Sequence, residues 1–332
     1  MRVRDLFFIG TVVAAGQAPP AFHTGTRIVE VTLSATSPPK HFALRDQLHT
    51  PVNDLSAADL RIFDNGVPQT IASFERIGGA VRGRNGVSVA GDASEDQRAS
   101  VIVLFDSLNT AKRNQFISHD EVRKLLLRLP PETRVALVGM DEYLRVFQDF
   151  SFDREALRAA IPKYERDYAF DAFSAGEVPY ANLDPRARIS KSVDALSQLA
   201  RLAENVRGKK NVLWMSSGFP LNVLRGELMK AVRALVAANV ALYPISPEGL
   251  EPDSTDNIVE LAALTGGKAF YGSNDVAGMA QAALKFTGDG YVLTFVPTDY
   301  REDGSFHQLR VETSRRQVEL HYRIGYVADP SK

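Results

Sequence analysis

The chain has 332 residues, more than the roughly 100–200 that one core needs, so a large domain and a smaller one are expected. Hydrophobic residues make up 45% and charged ones 24%, the proportions of a folded globular protein, which excludes wholesale disorder. The 39 Lys and Arg against 40 Asp and Glu leave no net field to steer a polyanion, which argues against nucleic acid as a partner, and the absence of cysteine removes disulfides, thiolate metal sites and cysteine catalysis.

In chain order, Arg2 and Arg4 precede the apolar run Leu6 to Gly16, and the small-residue stretch Ala14 to Ala18 ends at Pro19-Pro20. Residues 1–18 therefore read as a secretory signal and the protein as exported, periplasmic or extracellular; a buried N-terminal strand is the other reading of such a run. The run falls short of the ~20 residues of a spanning helix, so no stable transmembrane anchor is predicted.

Residues 24–77 read as β. Arg27 to Ala35 alternates apolar and polar residues, and Leu60 to Phe63, the turn Asp64-Asn65-Gly66 and Gln69 to Phe74 read as a hairpin. Residues 78–98, rich in Gly, Ser and charge, read as a flexible linker. Residues 99–288 then alternate strand and helix. Strands are predicted over Ser100–Phe105, Arg134–Gly139, Val212–Met215, Val240–Ile245 and Lys268–Tyr271; helices over Arg113–Leu129, Arg188–Val206, Leu224–Ala238, Ile258–Leu264 and Val276–Phe286. Apolar strands between helices predict an α/β fold with a doubly wound, mostly parallel, Rossmann-like sheet. Residues 289–327 return to β, with strands over Tyr291–Val296, Gln308–Glu312 and Val318–Arg323. Because both ends are β, they are predicted to pair into a small β-sandwich into which the α/β domain is inserted.

In a doubly wound sheet, ligands bind at the carboxyl ends of the strands where the strand order reverses. That directs attention to Asp106-Ser107-Leu108-Asn109-Thr110 and to Ser216-Ser217-Gly218. Several further segments have a distinctive order: Arg134-Val135-Ala136-Leu137, Asn211 to Pro220, Val240 to Pro244, Thr265 to Phe270, and Arg323-Ile324-Gly325-Tyr326. With Phe105 to Thr110 they resemble the von Willebrand factor type A domains of exported bacterial proteins, over about residues 27 to 327.

The resemblance implies a metal-ion-dependent adhesion site: Asp-x-Ser-x-Ser after the first strand, a Thr from a later loop and an Asp-Gly after the fourth strand. Such a site holds a divalent cation by oxygen ligands and leaves one position open for a partner's carboxylate. Asp106 matches the first ligand and Thr110 the last hydroxyl. Leu108 stands in place of the middle Ser, Ser217-Gly218 in place of Asp-Gly, and no Thr matches between Phe150 and Arg188. The site is degenerate, and the expectation is a weak or absent ion, at most Mg2+ or another divalent cation, with no cofactor required. Asp106 can equally serve its own loop by accepting backbone N–H groups.

A second candidate surface is the stretch Tyr164 to Pro185, where Tyr164, Tyr168, Phe170, Phe173 and Tyr180 alternate with Asp167, Asp171, Glu177 and Asp184. These rings suit a partner, or they fold back as a lid. Enzymatic motifs are missing. There is no phosphate-cradling Gly loop, Met215-Ser216-Ser217-Gly218 lacks the Gly that precedes a nucleophile Ser, and the six histidines read as lone surface residues. Asp141-Glu142, Glu302-Asp303 and Arg207 to Lys210 read as solvated turns. The expected function is binding of an unknown protein through Asp106, Ser107, Asn109, Thr110, Ser216 and Ser217. A serine-dependent hydrolase and an envelope scaffold are the alternatives.

Overall fold

The computed structural model describes residues 27–37, 50–77, 100–126, 133–167, 184–206, 208–250, 255–288, 290–299 and 303–328, with residues 129, 131 and 301. The expected signal over 1–18, the expected linker over 78–98 and most of the aromatic stretch after residue 167 lie outside them.

The chain opens with β1 (Val29–Ser37), β2 (Thr50–Pro51), a 3₁₀ turn over Ala57–Asp59, β3 (Leu60–Asp64), β4 (Val67–Gln69) and β5 (Ile71–Ile77). The middle runs β6 (Ser100–Asp106), α1 (Lys112–Leu126), β7 (Arg134–Met140), β8 (Leu144–Ser151), α2 (Arg154–Asp167), α3 (Pro185–Glu204) and β9 (Lys210–Met215). It continues α4 (Arg225–Ala237), β10 (Val240–Ile245), α5 (Asp256–Thr265) and α6 (Val276–Gly288), and the chain closes with β11 (Gly290–Phe295), β12 (Phe306–Thr313), β13 (Glu319–Tyr322) and β14 (Gly325–Val327).

The central sheet has the order β10-β9-β6-β7-β8, parallel except for β8, and Phe270 bridges to the outer side of β10 at Ile245. Numbering these six positions along the chain from β6 gives 3-2-1-4-5-6, the doubly wound order, with its reversal between β6 and β9. β6 is buried along its whole length because both of its faces are covered. Ile102 and Leu104 pack with Val193, Leu196 and Leu199 of α3 and Leu228 and Val232 of α4. Val101, Val103 and Phe105 pack with Val122 and Leu125 of α1, Leu157 and Ile161 of α2 and Ala280 of α6.

Strands from the two chain ends pair with each other. One sheet has the order β13-β1-β11-β5, with β2 also on β1, and another the order β14-β12-β3-β4. They share a core of Val31, Leu33, Leu60, Ile62, Tyr291, Phe295, Leu309 and Val311. A buried polar group also joins three strands: His307 Nδ1 lies 2.9 and 3.0 Å from the two Asp64 carboxylate oxygens, and the Tyr326 hydroxyl donates to Asp64 at 2.7 Å.

Four sequence expectations are corrected. The β3–β4 hairpin forms at Asn65 and Gly66, whose φ of +49° and +83° suit a tight turn. Its second strand is two strands, however. β4 ends at Gln69, whose side chain is tied to Thr298 at 3.1 and 3.2 Å, and the chain then crosses to pair β5 with β11. The strand expected over Lys268–Tyr271 reduces to the bridge at Phe270. Phe270 N–H donates to the Pro244 carbonyl, and the next rung would need an N–H from Pro244, which proline lacks.

β8 and α2 were not anticipated. β8 is an edge strand, partly buried at Leu144, Phe147 and Phe150, and Pro162 inside α2 reads as a breaker although Leu157, Ala160 and Ile161 are buried on one side. Finally, His119 and His307 are buried, and Asp141 is not solvated: it accepts from Tyr143 N–H at 2.7 Å and pairs with Arg145 at 3.0 Å.

The turn after α5 fixes how the closing strands lie on the α/β part. Gly266 has φ +77°, and a Cβ there would stand 2.5 Å from Arg323 N and 2.6 Å from Tyr322 C. Gly304, at φ +71°, has nothing within 4 Å. Alanine at 304 should cost only the left-handed strain, about 1 kcal/mol, whereas Gly266→Ala adds a backbone collision and should cost 3 kcal/mol or more, roughly. Urea unfolding of the two variants checks this; equal losses would remove the close approach as the reason for glycine at 266.

Candidate functional site

The reversal between β6 and β9 sends α1 to one face of the sheet and α4 to the other. The loops that follow these strands therefore part and leave a crevice at their carboxyl ends. Asp106 is the last residue of β6 and is 2% exposed. Its Oδ1 accepts from the backbone N–H groups of Leu108 at 3.1 Å and Asn109 at 2.9 Å, a turn closed by its own side chain. The Asn109 side-chain Nδ2 donates to Oδ1 at 3.2 Å and to Oδ2 at 3.0 Å, and the Ser216 hydroxyl donates to Oδ2 at 2.5 Å.

One carboxylate thus ties the loop after β6 to the loop after β9. The Ser216 oxygen in turn accepts from Gly218 N–H at 2.8 Å, and Thr110 Oγ1 accepts from Ser217 N–H at 3.3 Å. Gly218 needs its φ of +79° here, and a Cβ would stand 2.6 Å from Ile258 of α5. From beneath, Gln115 of α1 donates to the carbonyls of Ser107 at 3.3 Å and Thr110 at 2.6 Å, while Ser107 N–H donates to Met140 at the end of β7. Burial pushes the Asp106 carboxyl up to about 6, against the opposing pull of its hydrogen bonds from Ser216, Asn109 and Leu108.

All six residues expected at the site do converge here, but not as a contact surface. Asp106, Ser107, Asn109, Thr110 and Ser216 are buried, and Ser217 alone is partly exposed. Sequence reasoning missed Ser192 of α3, whose hydroxyl accepts from Asn109 Nδ2 at 3.0 Å, and Gln115. Neither belongs to a local motif; Ser192 lies 83 positions from Asn109. Exposed apolar side chains stand instead on the rim, Tyr143 after β7 at 61% and Leu250 after β10 at 52%.

The divalent cation implied by the resemblance does not fit these residues. Both Asp106 oxygens already receive donors, and an N–H group rather than an oxygen faces them from Asn109. Leu108 is fully buried where a hydroxyl ligand would stand. No cluster of three His, Asp or Glu able to hold an ion occurs among the described residues. The Ser216 hydroxyl is likewise committed to Asp106 and is fully buried, which is not the geometry of an attacking nucleophile.

No protein-family model matches the sequence, and no curated protein matches it. Among solved structures the chain is similar to a von Willebrand factor type A protein from Catenulispora acidiphila, at 10% identity and TM-score 0.42, over 93% of this chain and 76% of that one. It is also similar to the SpRpn10 VWA domain, at 13% identity and TM-score 0.35, over 55% of this chain and 94% of that one. A third is the conserved hypothetical protein BatB from Bacteroides thetaiotaomicron, at 11% identity and TM-score 0.36, over 57% and 98%. These are likenesses of fold at low scores, and nothing about the site derives from them.

The buried carboxyl gives the fold a pH dependence of definite sign. The folded chain keeps a proton on Asp106 up to about pH 6, whereas the unfolded chain releases it near 3.8. The stability from this group is full below 3.8 and is lost as pH rises through 6, a change on the order of 3 kcal/mol. Asp106→Asn should abolish that change, so the variant's stability relative to the unsubstituted chain should climb between pH 4 and pH 7 in urea titrations. A difference constant across that range would mean that the carboxyl titrates as an ordinary one.

Proposed function

We propose that this von Willebrand type A-like chain is an exported, non-enzymatic interaction module whose partner, a protein, meets the carboxyl-end face of the α/β sheet. The observation that carries this reading is the Asp106 junction: it fixes two diverging loops relative to each other at the reversal of strand order, where the crevice lies. A binding face whose loops are held before the partner arrives loses less conformational entropy on binding. Asp106, Ser107, Asn109, Thr110 and Ser216 form the internal frame of that face. Ser217 is partly exposed there with its hydroxyl turned inward, and Tyr143 and Leu250 supply the exposed apolar area that partner contacts favour.

In the same reading, residues 1–18 act as the secretory signal and deliver the chain to the periplasm or the exterior. No helix among the described residues is long and apolar enough to cross a membrane. The paired β strands of the two ends form a small β-sandwich that carries the inserted α/β domain. Recognition proceeds without a tightly held ion, because the carboxylate that would anchor one is committed to internal donors.

Photo-crosslinking side chains placed at Tyr143, Ser217 and Leu250, and at Glu204 on the opposite end of the sheet, test the reading in the organism that makes the chain. The first three should yield an adduct with one and the same protein, absent from Glu204 and competed away by added unlabelled chain. Adducts from Glu204 alone would move the interface elsewhere. A serine-reactive phosphonate should label neither Ser216 nor Ser217; stoichiometric labelling of either would make the protein a hydrolase.

A further inference from the structure

The oxygen-rich loop of the resembling domains is held together by an ion, yet here the same loop is closed without the ligands for one. The atom at its centre is Asn109 Nδ2. It has three oxygens at hydrogen-bonding distance, the two of Asp106 at 3.0 and 3.2 Å and Ser192 Oγ at 3.0 Å. Ser192 spends its own proton on the Arg188 carbonyl at 3.1 Å and so meets Nδ2 as an acceptor. Three acceptors from β6 and α3 converge on one donor nitrogen with two protons, in the manner of oxygens gathered on a small cation.

The orientation of this amide follows from its surroundings. Turned over, Asn109 would aim its carbonyl oxygen at the two Asp106 carboxylate oxygens, a repulsive contact, and would draw the Ser192 proton away from the Arg188 carbonyl. As it stands, its Oδ1 is buried with no hydrogen-bond partner among the described residues. An unsatisfied buried acceptor is costly, and the three contacts of Nδ2 offset that cost. Leu108, wholly buried, fills the adjoining ligand position with apolar volume.

We infer that the Asn109 side-chain amide is a built-in surrogate for the divalent cation, a positioning residue that closes the Asp106 loop and makes it independent of metal. The surrogate is neutral and covalently attached, so it neither dissociates nor offers an open coordination position to a partner's carboxylate. The inference stands on the geometry of the loop and not on the partner-binding reading, and either can fail without the other.

The test is to remove the surrogate and ask whether an ion takes its place. The unsubstituted chain should unfold at one temperature in EDTA and in millimolar Mg2+ or Mn2+. Asn109→Asp places a second carboxylate against Asp106; it should melt well below the unsubstituted chain in EDTA and regain several degrees with Mn2+, with calorimetric binding of Mn2+ that the unsubstituted chain lacks. If that variant folds in neither buffer, Asn109→Ala, which leaves a void beside Asp106, should acquire the Mn2+-dependent rise. A Mn2+ shift in the unsubstituted chain, or no shift in whichever variant folds, would overturn the inference.

Discussion

A charged group at the end of a buried strand has to be satisfied by the protein itself, and the arrangement around Asp106 is governed by that requirement. Leaving a carboxylate without donors in a low-dielectric interior would cost several kcal/mol, so the chain bends donors towards it from wherever they are available. The backbone N–H groups of Leu108 and Asn109 come from its own turn, Asn109 Nδ2 from the same loop, and the Ser216 hydroxyl from the neighbouring strand's loop. The shape of the carboxyl-end face is a consequence of this. Two loops that leave neighbouring strands for opposite faces of the sheet are tied at one point, and Gly218 is needed where the second of them turns against Ile258.

The same logic sets the relation between the α/β part and the strands of the chain ends. Glycine at 266 allows the end of α5 to approach the backbone of Tyr322 and Arg323, and glycine at 267 allows the chain to pass within contact of the Leu242 carbonyl. Neither approach tolerates a Cβ. The central sheet is bounded on that side by Pro244, which lacks the donor for a rung to Lys268, so the chain leading into Phe270 does not extend the sheet. On the opposite edge, β8 carries the exposed charges Arg145 and Asp149, which disfavour further pairing.

These contrasts explain what could be read in advance. Strands such as β6 and β10 are continuous apolar runs because both of their faces are covered, and that pattern is visible in sequence. Helices with buried stripes, such as α3 and α4, are visible for the same reason. β8 is not, since Leu144 and Phe150 pack on one core, Phe147 on the other, and its register against β7 shifts, so no single period shows, and α2 is disguised by Pro162. For the site, strand order alone places the Asp106 and Ser216 loops side by side, so the location was legible. Its character was not: Asn109 Nδ2 meets Ser192 across 83 positions, and which way an amide faces is decided by that contact. Nor does a run of Asp, Ser, Asn and Thr disclose that it is buried, because polar residues inside a protein look in sequence like polar residues on its surface.

Burial also decides between ion and surrogate. A divalent cation repays its dehydration when several charged oxygens surround it, and here Asp106 is the one carboxylate in the junction while Leu108 occupies a ligand position. Burying a leucine side chain stabilises a fold by about 1.5–3 kcal/mol whether or not any ion is present in the medium. Replacing an exchangeable ligand by apolar volume and an amide therefore transfers the closing of the loop from the solution to the chain. The consequence for recognition is chemical: without an open coordination position, affinity on this face has to come from shape and from the exposed apolar groups at Tyr143 and Leu250.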